Sequence, residues 1–474
     1  MNKKTSEVIK VKEKKLNLFH LITLIVGTII GGGIFNSPTD LILKANPLTA
    51  LITWLIGGFG ILMLALVFYK LALVKPELDG GIYTYAKEGF GNYVGFNSFW
   101  GYWLGSIFGN IAFISLFFKT LNSMLPHPLS PFGCFIGGSV ILWIYTWIGW
   151  RGVREVSILN AVITIAKLLP LILVIVIGIT LFQPHVFSVA QWTHVLASNH
   201  HSTNISQQIG QAMSTIVWCF VGIEAAVSMS RRAKKHSEVG LATVISFVIV
   251  WSLYVLISLL PMGIIPANEL GSSSVPLATV LSKSVIGNWG ALIIKVGLLI
   301  SLLGALLSWF MIGPEIAYVT SMDHAMPKPF KLINRHNVPG FALIVYTLIM
   351  QLILVVLLLP QLQTAYTIAY TLAATTTLVA YLLSALYGLK LAIKESYGFG
   401  FKLIAIIASA YAIYTLFATG IEYAFASAII FALGIPLYLS AAPKMKRFEK
   451  VIALVIGVAG ILALVMIVRG GISF

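Results

Sequence analysis

Thirteen apolar runs, each near the length of a membrane-crossing helix, recur between residues 17 and 468. About 20 apolar residues are needed for a helix to cross the hydrocarbon core of a bilayer. With 58% of 474 residues hydrophobic and only 10% charged, almost nothing remains from which to build a soluble domain. The alternating pattern of a membrane barrel is absent. The sequence predicts an all-α integral membrane protein of about 12–13 transmembrane helices.

A net charge of +16 at first suggests a nucleic-acid partner. Its placement points to a membrane instead. With the N-terminus inside, 25 of the 31 basic residues fall in inner segments, the exceptions being Lys44, Lys119, Lys167, Lys283, Lys295 and Arg469. That bias orients the chain with a cytoplasmic N-terminus. Residues 1–15 are polar and basic with no small-residue cleavage site after them, which reads as a cytoplasmic tail rather than a signal peptide. Cys134 and Cys219 both lie in apolar spans and suggest neither a disulfide nor a metal site. The outer loop 183–204 carries His185, His194, His200 and His201; zinc binding and a plain solvated loop are both open, the second being the simpler. The segment "PELDGGIYTYAKEGFG" (Pro76–Gly91) reads as an inner loop, and "DHAMPKPFKLINRHNVP" (Asp323–Pro339) as a basic, proline-broken cytoplasmic connector.

Two spans are compromised at their centres. The first contains "GTIIGGGIF" (Gly27–Phe35), followed by Pro38. Each glycine costs about 1 kcal/mol against alanine inside a helix. The sixth, 205–231, contains "WCFVGIEAA" (Trp218–Ala226), with Gly222 beside the carboxylate Glu224. A charge at mid-span costs at least about 2.5–3.5 kcal/mol. The two lie five helices apart, and five is odd, so the second unit enters the membrane with opposite orientation. This is the pattern of an inverted repeat with two discontinuous helices meeting at the midplane. The expected units are a tail at 1–15, a first repeat at 16–182, a second at 205–390 and accessory helices at 400–474. Broken helices free N–H and C=O groups that are tolerated in a membrane only where they line a cavity. N–H groups at a half-helix start attract a carboxylate, and freed carbonyls accept an ammonium, so together they suit the zwitterionic head of an amino acid. The plain alternative is a glycine seam for helix packing.

Other candidates follow from polarity or aromaticity at mid-span. In "WGYWLGSIFGNIAF" (Trp100–Phe113), Gly101, Gly105 and Gly109 form a small-residue stripe. Ser106 lies one turn before Asn110 on nearly the same face. An amide there needs a cavity or an interhelical partner. Trp218 and Trp309 lie near the breaks, where an aromatic face would attract a cation, although tryptophan also packs cores and marks interfaces. Glu224 is expected to carry a proton, pair with a cation, tether a gate, or hold the unwound segment. Lys167, in "AVITIAKLLPLIL", would replace a coupling cation, exchange a proton, or snorkel inward. Asp40 and Glu315 lie near span ends and read as interfacial. Neither a metal-spaced histidine pair within a span nor a nucleophile–base pair is seen, so an enzyme and a cofactor are not expected. A single chain with two internal breaks also does not suggest the symmetric filter of a channel.

In order along residues 16–390, "GTIIGGGIF", "PELDGGIYTYAKEGFG", "GYWLGSIFGN", "VWCFVGIEAA" with the basic "RRAKK" after it, and "LLSWFMIG" with "MDHAMPK" resemble the basic amino acid and polyamine antiporters. These belong to the amino acid–polyamine–organocation superfamily. Within it the chain is most similar to bacterial arginine/ornithine antiporters and less so to arginine/agmatine exchangers. The resemblance implies a five-plus-five inverted repeat and exchange of arginine for ornithine across the inner membrane. It implies that Ile29, Gly32 and Gly33 hold the substrate's carboxylate and ammonium, and that Gly105, Ser106 and Asn110 flank its side chain. Trp309 would pack on the cationic group, Trp218 would lid the pocket outward, and Glu224 would serve proton sensing or inner gating. Gly32 stands where the agmatine exchangers carry a serine. Lys167 is similar to a lysine of proton-coupled carriers in the same superfamily, which implies proton-coupled symport as an alternative. Expected partners are the amino acid and the lipid bilayer, with a homodimer among the open oligomeric states.

Overall fold

The computed structural model describes residues 17–78, 81–152, 156–188, 204–224, 236–441 and 445–469. Within them the fold is helical. The first membrane crossing is two helices, α1 (Leu18–Ile29) and α2 (Gly33–Ile42), bent by 43° at residues 30–32. Then follow α3 (Pro47–Val74), the short α4 (Ile82–Phe90), α5 (Asn92–Asn122), α6 (Pro131–Arg151), α7 (Val156–Leu181) and α8 (Ile205–Phe220). The second half runs through α9 (His236–Leu259), the short α10 (Ala267–Ser272) and α11 (Pro276–Ser282), α12 (Gly287–Met322), α13 (Gly340–Ile353) and α14 (Leu362–Lys394). It ends with α15 (Phe399–Ala418), α16 (Ile421–Ala441) and α17 (Arg447–Val468). Ten of these helices are long and apolar enough to span a bilayer, and the bent pair makes eleven. Helices α7 and α8 occupy the fifth and sixth crossing positions.

Local chemistry fixes several starts. Asn46, Ser130 and Asn204 cap α3, α6 and α8 by accepting the backbone N–H of Thr49, Gly133 and Ser206, and Pro47 and Pro131 sit in first turns where no N–H is missed. Helix α5 is the axle: 83% of its apolar window is buried, against 67% for α14 and 17% for α17. The glycine stripe explains how α14 comes so close. A Cβ on Gly101 would lie 2.6 Å from Thr376 O, and one on Gly105 only 2.3 Å from Thr377 Oγ1.

Two expectations need correction. Pro76–Gly91 is not simply a loop, because Ile82–Phe90 is helical, set off by left-handed Gly81 (φ 62°) and Gly91 (φ 100°). Asp40 is not interfacial. It is 2% exposed, because α10, α11 and the start of α14 close over α2, with Thr39 Oγ1 donating to Leu270 O at 3.1 Å. Glu315, within α12, is exposed. Of the histidine loop, His194, His200 and His201 lie outside the described residues, as do "RRAKK" and the segment after Glu224.

The last helix, whose role the sequence leaves unread, is tied to the axle. Glu449 at the start of α17 is 3% exposed and accepts Tyr93 N of α5 at 3.0 Å and Lys446 N at 2.9 Å. One carboxylate thereby caps two helix N-termini, where negative charge is favoured.

Candidate functional site: a closed cavity between two broken helices

The first predicted break is present between Ile29 and Gly33, and at the second the helix stops within the described residues; the two places face one another. Helix α8 stops at Phe220, and Val221–Glu224 continue as a turn in which Gly222 adopts φ +111°. A Cβ on Gly222 would lie 3.2 Å from Thr28 O of the first break, so the two interruptions are in near contact.

The carbonyls freed at the end of α1 are largely taken by the protein. Lys167 Nζ of α7 donates to Gly27 O and Ile30 O, both at 2.5 Å, and is only 2% exposed. It points at the break rather than snorkelling. Tyr254 of α9 donates its hydroxyl to Ile29 O at 3.1 Å. The start of α2 is different. Its N-cap is Gly32, which offers no side-chain cap, and the oxygen that Phe35 N finds is the Gly32 carbonyl at 3.1 Å.

Beside these groups lies a cavity. Thr28, Ile29, Gly31 and Gly33 form its wall from the first break, and Trp218, Cys219 and Val221 its wall from the second. Gly105, Ser106, Gly109 and Phe113 of α5 oppose them, with Tyr254 and Trp309 completing the enclosure. Among the described residues no charged side chain is in these walls. The free volume is about 20 Å³, room for roughly one water. An amino acid therefore fits only after helices move.

Six of the sequence-derived candidates, Ile29, Gly33, Gly105, Ser106, Trp218 and Trp309, lie on this cavity. Trp218 covers it, stacked on Tyr370 with centroids 6.0 Å apart, and its indole lies 2.9 Å from where a Gly33 Cβ would be. Trp309 packs against Tyr102 at 6.0 Å. Gly32 and Asn110 are not among the walls. A Cβ on Gly32 would meet Leu302 Cδ2 at 2.3 Å, so this glycine serves packing against α12. Asn110 is wholly buried and donates to Tyr346 Oη of α13 at 3.0 Å; Ser106 Oγ lies 2.9 Å from the same hydroxyl. This is an interhelical bond, one of the two roles open for Asn110, and its Oδ1 is left without a partner among the described residues.

Glu224 sits at the end of the second break, 4% exposed. It accepts the Tyr102 hydroxyl of α5 at 2.6 Å, the Tyr381 hydroxyl of α14, and Gly222 N at 3.0 Å. The carboxylate thus joins the broken helix to the axle and its neighbour on one side of the cavity. Sequence reasoning missed these tyrosines. Tyr102 was visible, since Tyr102, Ser106 and Asn110 repeat at four-residue spacing on one face. Tyr381 and Tyr254 carried no local signal.

On the other side of the cavity a second polar group closes the path. Asp40 accepts Asn36 Nδ2 at 2.6 Å and Gln363 Nε2 at 2.9 Å. Lys44 donates to Tyr370 Oη at 2.7 Å and Ser214 Oγ at 2.9 Å. The arrangement flanks a small chamber on two sides with hydrogen bonds that helix movement can break.

The sequence model of a family described as amino acid permease matches residues 16–428. The chain is 39% identical over 464 residues to an arginine/ornithine antiporter of Pseudomonas aeruginosa, covering 94% of this chain and 96% of that one. It is 33% identical to an arginine/agmatine antiporter of Chlamydia pneumoniae and 34% identical to one of Chlamydia felis, each alignment covering 92% of this chain and 91% of the relative. Two broken helices around a closed chamber, in a chain matched over most of its length to such a model, place this multi-pass membrane protein in the amino acid permease family.

Proposed function

We propose that this chain is a secondary active transporter that exchanges cationic amino acids, arginine for ornithine, across the inner membrane with its N-terminus in the cytoplasm. The observation that carries the reading is the chamber itself. Helix ends from two facing breaks would meet a small solute there, and aromatic faces rather than a carboxylate line it among the described residues. The substrate's carboxylate would dock on the uncapped start of α2 around Gly33. Its ammonium would meet carbonyls of the breaks, Ile29 among them once Tyr254 releases it. Its cationic end would lie on Trp309, an attraction of roughly 0.5–2 kcal/mol as water is excluded. Relatives named for arginine/ornithine and arginine/agmatine exchange support the substrate class.

Residues 16–182 and 205–390 act as inverted repeats, and α15–α17 as accessory helices. The crossing α1/α2, together with α3, α8 and α9, rocks against the rest. Glu224, held by two tyrosines, is the inner gate, and its protonation tunes that gate. Exchange of two monocations is electroneutral, so solute gradients alone drive it. The chamber is built from a single chain, so a homodimer would carry two separate pathways.

The test is transport in proteoliposomes. Labelled arginine uptake should require arginine or ornithine inside. Equal uptake into empty vesicles under a proton gradient would retire exchange in favour of proton-coupled symport. One observation favours that second reading: Lys167 places a buried cation on the carbonyls of the first break.

A further inference from the structure

A second cavity, of about 520 Å³, opens where α5 ends and α14 begins, on the side of the chamber away from Glu224. Hydroxyls and amides line much of it, Thr39, Asn122, Ser123 and Gln363 among them. Among the described residues Lys119 is the one charged side chain in its walls. It is 9% exposed. Its ammonium donates to Asn36 Oδ1 at 2.9 Å and Gln363 Oε1 at 2.5 Å. Both acceptors are neutral amides, and an ammonium has a third N–H to give.

The surrounding charge is unbalanced. Asp40, the carboxylate behind this wall, takes its donors from the same two amides, Asn36 and Gln363, and not from a lysine. Lys44 adds a second buried ammonium, held on the hydroxyls of Ser214, Thr215 and Tyr370. One carboxylate therefore faces two ammonium groups. A buried ammonium that gives its hydrogen bonds only to neutral amides and shares one carboxylate with a second ammonium, at the foot of a polar vestibule, favours an anionic group.

We propose that Lys119 forms an outer subsite for the α-carboxylate of an incoming cationic amino acid, and that this subsite rejects the corresponding decarboxylated diamine. The inference rests on the exchange reading above and narrows it. An amino acid with a cationic side chain carries two positive groups and one carboxylate; its decarboxylated product carries two positive groups alone. Surplus positive charge repels the second more strongly and offers it no partner.

The experiment uses the full chain in proteoliposomes loaded with arginine, with labelled arginine outside. Arginine, arginine methyl ester and agmatine compete from one face at a time. The Lys119→Gln variant should raise KM for arginine presented to the vestibule by about tenfold, the loss of one charge-assisted hydrogen bond, with kcat within about twofold. Inhibition by agmatine should stay the same or strengthen, so the preference for arginine collapses, while Lys119→Arg keeps it. An unchanged preference, or arginine and agmatine weakened in proportion, would overturn the subsite. A second measurement needs no variant. In the parent, the two carboxylate-free competitors should be discriminated against more strongly from the vestibule face than from the other, and equal discrimination on both faces overturns the proposal. A parent that exchanges no arginine removes the exchange reading together with this one. A parent that exchanges arginine but discriminates equally removes this one alone.

Discussion

Tyr102→Phe is the sharpest test of the gate at Glu224. The substitution removes one hydroxyl and keeps the ring that packs on Trp309, so no cavity opens. It strands Glu224 Oε1, the atom that accepts the Tyr102 hydroxyl at 2.6 Å in a fully buried setting. A hydrogen bond to a charged group contributes about 1.5–3 kcal/mol. The bond joins the broken sixth crossing to α5, which on the proposed gating separate when the chamber opens on that side, so the loss would fall on the closed conformation. At 1.4 kcal/mol per factor of ten, opening should rise by about 10- to 150-fold. The protein carries its own reporter. Cys219 lines the chamber and is 2% exposed, and Cys134→Ser removes the other thiol. Alkylation of Cys219 by a charged, membrane-impermeant reagent should accelerate by that factor from the Glu224 side and stay unchanged from the vestibule side. A rate within about twofold of the parent from both sides would refute the reasoning, because a bond worth so little could not hold a gate.

Other outcomes follow from the same geometry. Trp309→Ala should weaken arginine binding by about 2- to 30-fold, read by calorimetry on purified protein, since it removes the aromatic face at the cavity wall; unchanged affinity would end the aromatic role. Glu224→Gln should flatten the pH profile of transport while leaving arginine binding measurable, and a profile matching the parent's would retire the proton role. Lys167→Met strands the carbonyls of Gly27 and Ile30, at about 1–3 kcal/mol for each unsatisfied group. Its thermal midpoint should fall by several degrees and exchange should be lost; a stable, active variant would show that those carbonyls find other partners.

Particular residues show where sequence reading reaches and where it stops. The triple glycine at 31–33 and Gly222 mark the breaks on paper, because a backbone that leaves helical geometry in a membrane needs residues that permit it. Trp218 and Trp309 stand out as aromatics close to those breaks, and both lie on the cavity. Asn110 was ambiguous in the sequence, since an amide at mid-span needs a partner and cannot announce which; the fold supplies Tyr346, 236 residues away, for its nitrogen. Asp40 was read as interfacial from its place near a span end, yet α10 and α11 fold over it, and nothing local to Asp40 reports that cover.

The sequence by itself determined the solvent and the interruptions: apolar runs of spanning length require a bilayer, and glycines beside a lone carboxylate at mid-span require a departure from helix. Only the tertiary structure decided what the freed groups meet. Lys167 and Tyr254 take the carbonyls of the first break, and Glu224 finds Tyr102 and Tyr381 at separations of 122 and 157 residues. The reason is one of range. Burial preference and helix propensity act over a turn or two of chain, whereas a hydrogen-bond partner in a lipid-embedded bundle is chosen by which helices stand side by side.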